Sequence, residues 1–147
     1  MIKKLFNKLF LTKEIRSQEG ELHFLRYRLF SCPWLRLYIH KICKSDEDIH
    51  LHSHPWNFYS FILKGGYRQE YWEHAKENRT SFIRFKRFDL IQMNRNDFHK
   101  ITLDQSPTWT FVIAYGKRDT WGYLTSSLGL VDHKFYRELK NNGQLPT

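Results

Sequence analysis

The sequence is poor in the residues that staple a chain, break it or serve as nucleophiles. Of 147 residues only two are cysteine, seven glycine and four proline. Cys32 and Cys43 form no Cys-x-x-Cys pair and no secretory signal accompanies them, so a reduced, cytoplasmic setting is expected rather than a disulfide framework. No apolar run approaches the ~18 residues needed to cross a bilayer. There is no Gly-x-Ser-x-Gly elbow, neither cysteine adjoins a histidine, and Lys64-Gly65-Gly66 lacks the spacing of a phosphate loop. Internal repeats, low-complexity tracts and Pro- or Ser-rich linkers are missing too, which fits one domain of ~100–200 residues. Acidic residues are scarce as well, 15 against 24 lysines and arginines.

What is abundant is aromatic side chain, 17% of the chain, within an apolar fraction of 41% and a charged fraction of 27% that exclude disorder. The net charge of +9 suggests an anionic partner. It falls in two places. Residues 1–17 carry Lys3, Lys4, Lys8, Lys13 and Arg16 against Glu14; residues 79–100 carry Arg79, Arg84, Lys86, Arg87, Arg95 and Lys100 against Asp89 and Asp97. The rest of the chain is nearly balanced.

Three regions follow from periodicity. In residues 1–20, Ile2, Leu5, Phe6, Leu9 and Phe10 recur at helical spacing opposite lysines, which predicts a short basic amphipathic helix that docks on the domain, on a second subunit or on a membrane surface through residues 1–17. Residues 21–130 alternate with period two. Strands are expected near 22–30, 34–43, 50–54, 57–64, 67–73, 80–88, 89–93, 98–103 and 108–115, with turns at Gly65-Gly66, Lys76-Glu77-Asn78 and Asp104-Gln105-Ser106-Pro107. That pattern predicts an all-β antiparallel sandwich or barrel whose interior takes most of the aromatic rings. Residues 131–147 return to helix, with Asp132 as N-cap, Phe135, Tyr136 and Leu139 on one face, and Asn141-Asn142-Gly143 as the stop.

The chemistry concentrates in Ile49-His50-Leu51-His52-Ser53-His54-Pro55-Trp56. On a strand, His50, His52 and His54 project from one face, close enough for imidazoles to converge on one ion. Zinc, iron, manganese, nickel and copper all accept imidazole; the alternative is a polar or substrate-contacting cluster. His99 shares strand parity with Ile101 and Leu103, so it is expected to point into the apolar interior and to supply a ligand from a later strand.

These residues resemble the two motifs of the cupin superfamily of small jelly-roll barrels. His52 and His54 match the paired histidines of the first motif, Gly65 its closing glycine and His99 the histidine of the second. More narrowly, HSHPWNFYSFILKGGY with RNDFHKI resembles a group of bacterial and phage cupins carrying HxHPWxFxSxxLxGGY. The resemblance implies a double-stranded β-helix with a metal in its mouth: one divalent ion, iron(II) favoured and zinc, manganese or nickel possible. The chain departs from the motif at Asp46, where a glycine is usual, and at Phe58 and Tyr59, where a glutamate ligand is usual. A three-histidine site is left, as in the cysteine dioxygenase branch of cupins, with His50 available as a fourth ligand.

Around that site, Arg95 is expected to bind substrate, with Trp56, Tyr67 and Trp109 lining a pocket, Asp97 orienting His99, and Arg36 and Arg84 as further cationic candidates. The functional expectations are an iron-dependent oxygenase acting on a small anionic molecule, or a non-catalytic binding or sensing module. Nucleic-acid binding ranks below both, because no RNA-binding or zinc-finger pattern accompanies the basic segment. A homodimer is the default assembly. The 79–100 charges are expected to make the barrel mouth electropositive.

Overall fold

The computed structural model describes residues 10–17, 19–73, 79–118 and 120–145. Among them the order is β1 Leu11–Arg16, β2 Leu22–Ser31, β3 Leu35–Ile42, β4 Leu51–His52, β5 Asn57–Trp72, β6 Thr80–Lys86, β7 Leu90–Met93, β8 His99–Tyr115, β9 Gly122–Thr125, β10 Gly129–Asp132 and α1 His133–Asn141. All strand pairings are antiparallel.

β5 and β8 organise the fold. The first half of β5 (57–62) pairs with 110–115 of β8 and with β7, while its second half (66–72) pairs with 99–105 of β8 and with β6. Each strand therefore belongs to two layers, β1-β2-β3-β8-β5-β7 and β6-β5-β8-β4-β9-β10. The expected turns at Gly65-Gly66 and 104–107 are not reversals; the chain bends there and continues. Register shifts between Ile62 and Tyr67 absorb the bend, as β-bulges do. Gly65 takes φ +84°, and a Cβ on it would stand 2.4 Å from Thr108 Oγ1. The buried Thr108 hydroxyl accepts from Gly66 N–H at 3.1 Å, tying the two bends together. Residues 74–78, where the third turn is expected, lie outside the described residues.

The interior is filled by Ile62, Tyr67, Ile91 and Met93, backed by Phe58, Phe85, Ile101 and Leu103, and by Tyr38, Val112 and Ala114 with Trp56 and Phe58. β8 turns its small residues inward: Thr108, Thr110, Val112 and Ala114 are buried, whereas Trp109, Phe111, Ile113 and Tyr115 occupy the opposite face. Trp109, expected to line a pocket, is thus on the face away from the interior. The interior space beside β8 is taken by Tyr38 of β3, Phe58 of β5 and Trp56 just before β5.

The ends differ from each other. Leu11–Arg16, expected within the N-terminal helix, is a strand, because pairing with β2 satisfies its backbone along a ready sheet edge. The remainder of that helix expectation, residues 1–9, lies outside the described residues. The C-terminal helix forms as the sequence predicts. Asp132 accepts from Lys134 N–H at 2.8 Å, and Gly143 at φ +67° follows the helix, with Gln144 N–H donating to Leu139 O at 2.8 Å. Of the face expected to pack, Tyr136 is buried and Phe135 is exposed.

Candidate metal centre

β4 is only two residues long, but its pairing is decisive. His52 stands opposite His99 of β8 on one side and Tyr123 of β9 on the other. His54 follows two residues later, just before Pro55, which has no N–H for a ladder. The ring centroids of His52, His54 and His99 form a triangle with all three sides 5.0 Å. One nitrogen from each lies within 4.8 Å of the others. A tetrahedral ion holding imidazoles at ~2.1 Å sets ring centres ~5 Å apart, so the triangle has the size a first-row metal needs.

Protonation suits the same role. Burial, with the charges of His52 and its neighbours, holds His54 and His99 well below the ordinary histidine range, so both rings are neutral. Metal ligation requires that state. His99 Nδ1 lies 3.1 Å from Gln69 Oε1. An amide oxygen only accepts, so the proton sits on Nδ1 and the Nε2 lone pair is free. The Nε2 atoms of His54 and His99 are 2.7 Å apart, which makes His54 the donor in that contact. For both Nε2 atoms to ligate one cation, the His54 proton would have to reside on its Nδ1.

The other expected residues are distributed as follows. His50 is buried, but its Nδ1 lies 2.9 Å from the Tyr136 hydroxyl, outside the converging trio. The C-terminal helix is the cause: Tyr136 stacks on Tyr123 at 3.7 Å, and Asp48 accepts from the Tyr123 hydroxyl at 3.1 Å and from Lys140 Nζ at 2.5 Å. Asp97 closes the β7–β8 turn by accepting from Asn94 N–H at 2.7 Å, and Gln69 is the group that meets His99. Arg95 is in that turn rather than on a strand, its N–H donating to Asn57 Oδ1 at 2.9 Å. Trp56 carries the Arg36 guanidinium 4.2 Å from its ring centre. Tyr67 is buried in the core, and burial raises its phenol. Trp109 lies across the sheet from the interior and stacks on Tyr27 at 6.3 Å.

Sequence reasoning missed Gln69, Tyr123 and the pair Arg26–His40. For Gln69 a signal existed: Tyr67-Arg68-Gln69-Glu70-Tyr71 alternates, placing one amide between two inward tyrosines. Three of the cations in 79–100 have partners on neighbouring strands. Arg84 pairs with Asp104 at 3.2 Å, Lys100 with Glu70 at 3.1 Å, and Arg87 donates to Leu63 O at 3.1 Å.

No family model and no curated protein sequence matches the chain. Solved structures do. The substrate complex of iron(II) HppE superposes with TM-score 0.56 at 11% identity, covering 75% of this chain and 58% of that one. Hydroxypropylphosphonic acid epoxidase from S. wedmorenis gives TM-score 0.50 at 10% identity over 71% and 56%, and KdgF from Halomonas sp. 0.50 at 13% over 74% and 91%. The chain thus spans little more than half the length of the first two. These are cupin-fold proteins, and at such identity the likeness is one of fold. The molecule is a small cupin-like β-barrel with a C-terminal helix and a group of three histidines that could hold a metal ion.

Proposed function

We propose that His52, His54 and His99 bind one divalent metal ion, iron(II) in preference to zinc, manganese or nickel, and that the site oxygenates a small anionic molecule. The 5.0 Å triangle of imidazole rings carries this reading. Bound there, a redox-active metal would supply dioxygen chemistry at the positions that three protein ligands leave open. The chain's own residues do the rest. Gln69 fixes the tautomer and aim of His99, Phe58 packs edge-on against His54 at 5.2 Å, and Tyr123 flanks His52 at 6.0 Å. Because all three ligands are uncharged, the ion keeps its full double charge and favours an anion beside it. Iron(II) in the similarly folded HppE is consistent with the choice of metal.

Anaerobic loading with iron(II), elemental analysis and oxygen uptake with small organic acids test the proposal. His52→Ala and His99→Ala should each lose the metal while remaining folded; equal occupancy in the variants would sink the assignment. A second reading, a non-catalytic binding module, is favoured by Phe58, which fills the place of the usual carboxylate ligand. A tightly held zinc with no oxygen uptake would select it.

A further inference from the structure

The inner face of the barrel carries a cation, Arg26, that has no carboxylate partner among the described residues. Lys13, Arg26 and His40 are one rung across β1, β2 and β3, and the rung continues to the buried Thr110 and Ile62. Arg26 and His40 therefore face the interior that holds the three histidines. Arg26 donates through Nε to His40 Nε2 at 3.1 Å, and its guanidinium lies 4.8 Å from the Tyr38 ring centre and 5.7 Å from that of Phe24. His40 is itself clamped between Phe24 at 4.8 Å and Tyr38 at 5.7 Å. This guanidinium is braced on three sides, yet among the described residues neither Arg26 nor Lys13 has a carboxylate within ion-pair distance.

The charges confirm that the cluster is crowded with one sign. Burial lowers the Arg26 guanidinium from its ordinary value, and Arg36 adds to the effect while Tyr38 opposes it. Desolvation lowers Lys13, followed by the charges of Arg26 and of Arg137 on α1. His40 is held neutral by burial and by Arg26, which leaves Nε2 free to accept the guanidinium N–H. Tyr38, against which Arg26 and His40 pack, belongs to the cluster that Phe58 joins, and Phe58 lies edge-on 5.2 Å from His54, which places the cluster on the side of the three-histidine group. A part-buried guanidinium without a counter-charge costs stability, which a ligand that supplies the missing charge offsets; Lys13 stands at the exposed end of the same rung.

We propose that Arg26, aimed by His40 and Tyr38 and assisted by Lys13, is the binding seat for the anionic group of a small organic acid held against the three-histidine site. A guanidinium whose Nε is fixed still presents terminal N–H groups in a planar fork, the geometry that oxyanions take. The seat deepens the oxygenase reading by naming where its substrate's charge goes, and in that role it rests on that reading. As an anion site it does not require the metal.

Isothermal titration of the metal-free protein at fixed ionic strength tests it, with succinate and inorganic phosphate as separate probes. Saturable binding of at least one is expected. Arg26→Gln should weaken it at least about tenfold, Arg26→Lys less, and Lys13→Gln by a smaller factor. Arg84→Gln, at an exposed cation already paired with Asp104, should leave affinity unchanged. Circular dichroism and cobalt(II) stoichiometry, equal in wild type and variants, show that the barrel and histidine site are intact. Absence of saturable binding in the wild type, or undiminished binding in Arg26→Gln, overturns the seat. Loss of cobalt(II) binding by wild type with retention of anion binding would instead overturn the metal reading alone.

Discussion

At Gln69 one buried amide decides which nitrogen of His99 is available. Its oxygen takes the Nδ1 proton while its nitrogen faces Met93 Sδ at 3.5 Å, so the side chain is held from both ends. Gln69→Leu should preserve the fold but weaken metal affinity ~10–100-fold, the usual effect of removing a partner that orients a ligand. Competitive titration with a chromophoric chelator reads this directly. Asp97→Ala should leave the affinity unchanged. The convergence of His52, His54 and His99 was legible in the sequence because strand parity aligns the histidines and the resemblance to the cupin motifs singles out these three; parity aligns His50 as well, and Tyr136 draws it away. Gln69 and Arg26 were not legible, since their partners are set by inter-strand register, which periodicity does not contain.

Strands β5 and β8 teach a different lesson. Gly-Gly and Asp-Gln-Ser-Pro are turn signals, but the same residues permit bulges, and here they bend two strands without reversing them. What distinguishes the cases is a long-range contact, the approach of Thr108 to Gly65 and Gly66. Gly65→Ala should destabilise the barrel by about 2 kcal/mol or more, from the left-handed backbone conformation and the clash with Thr108 together. A urea midpoint measures it. In α1 the local signals sufficed, and Asp132→Ala should cost about 1 kcal/mol through loss of the cap on Lys134 N–H.

For the whole molecule the buried histidines set the response to acid. His40, His54 and His99 are all lowered from 6.5, chiefly by desolvation. Below that pH the unfolded chain binds protons that the native chain resists, so stability is complete above the unfolded value and falls as pH drops. Each group adds to the loss until its own folded value is reached. Urea denaturation of metal-free protein between pH 7.5 and 4.5 should show stability falling as pH drops, and His40→Gln should make the fall shallower. A flat profile would contradict the burial of these rings.

The two shared strands also govern the order of events during synthesis. His54 and His99 are 45 residues apart in sequence, and β4 finds its other neighbour, β9, only after Tyr123 has been made. Little of the barrel can be assembled from neighbours in the chain, which makes folding slow and late. The histidine trio cannot form on a nascent chain until β8 has left the ribosome. Any ion that the trio takes up would therefore be acquired only after β8 has emerged.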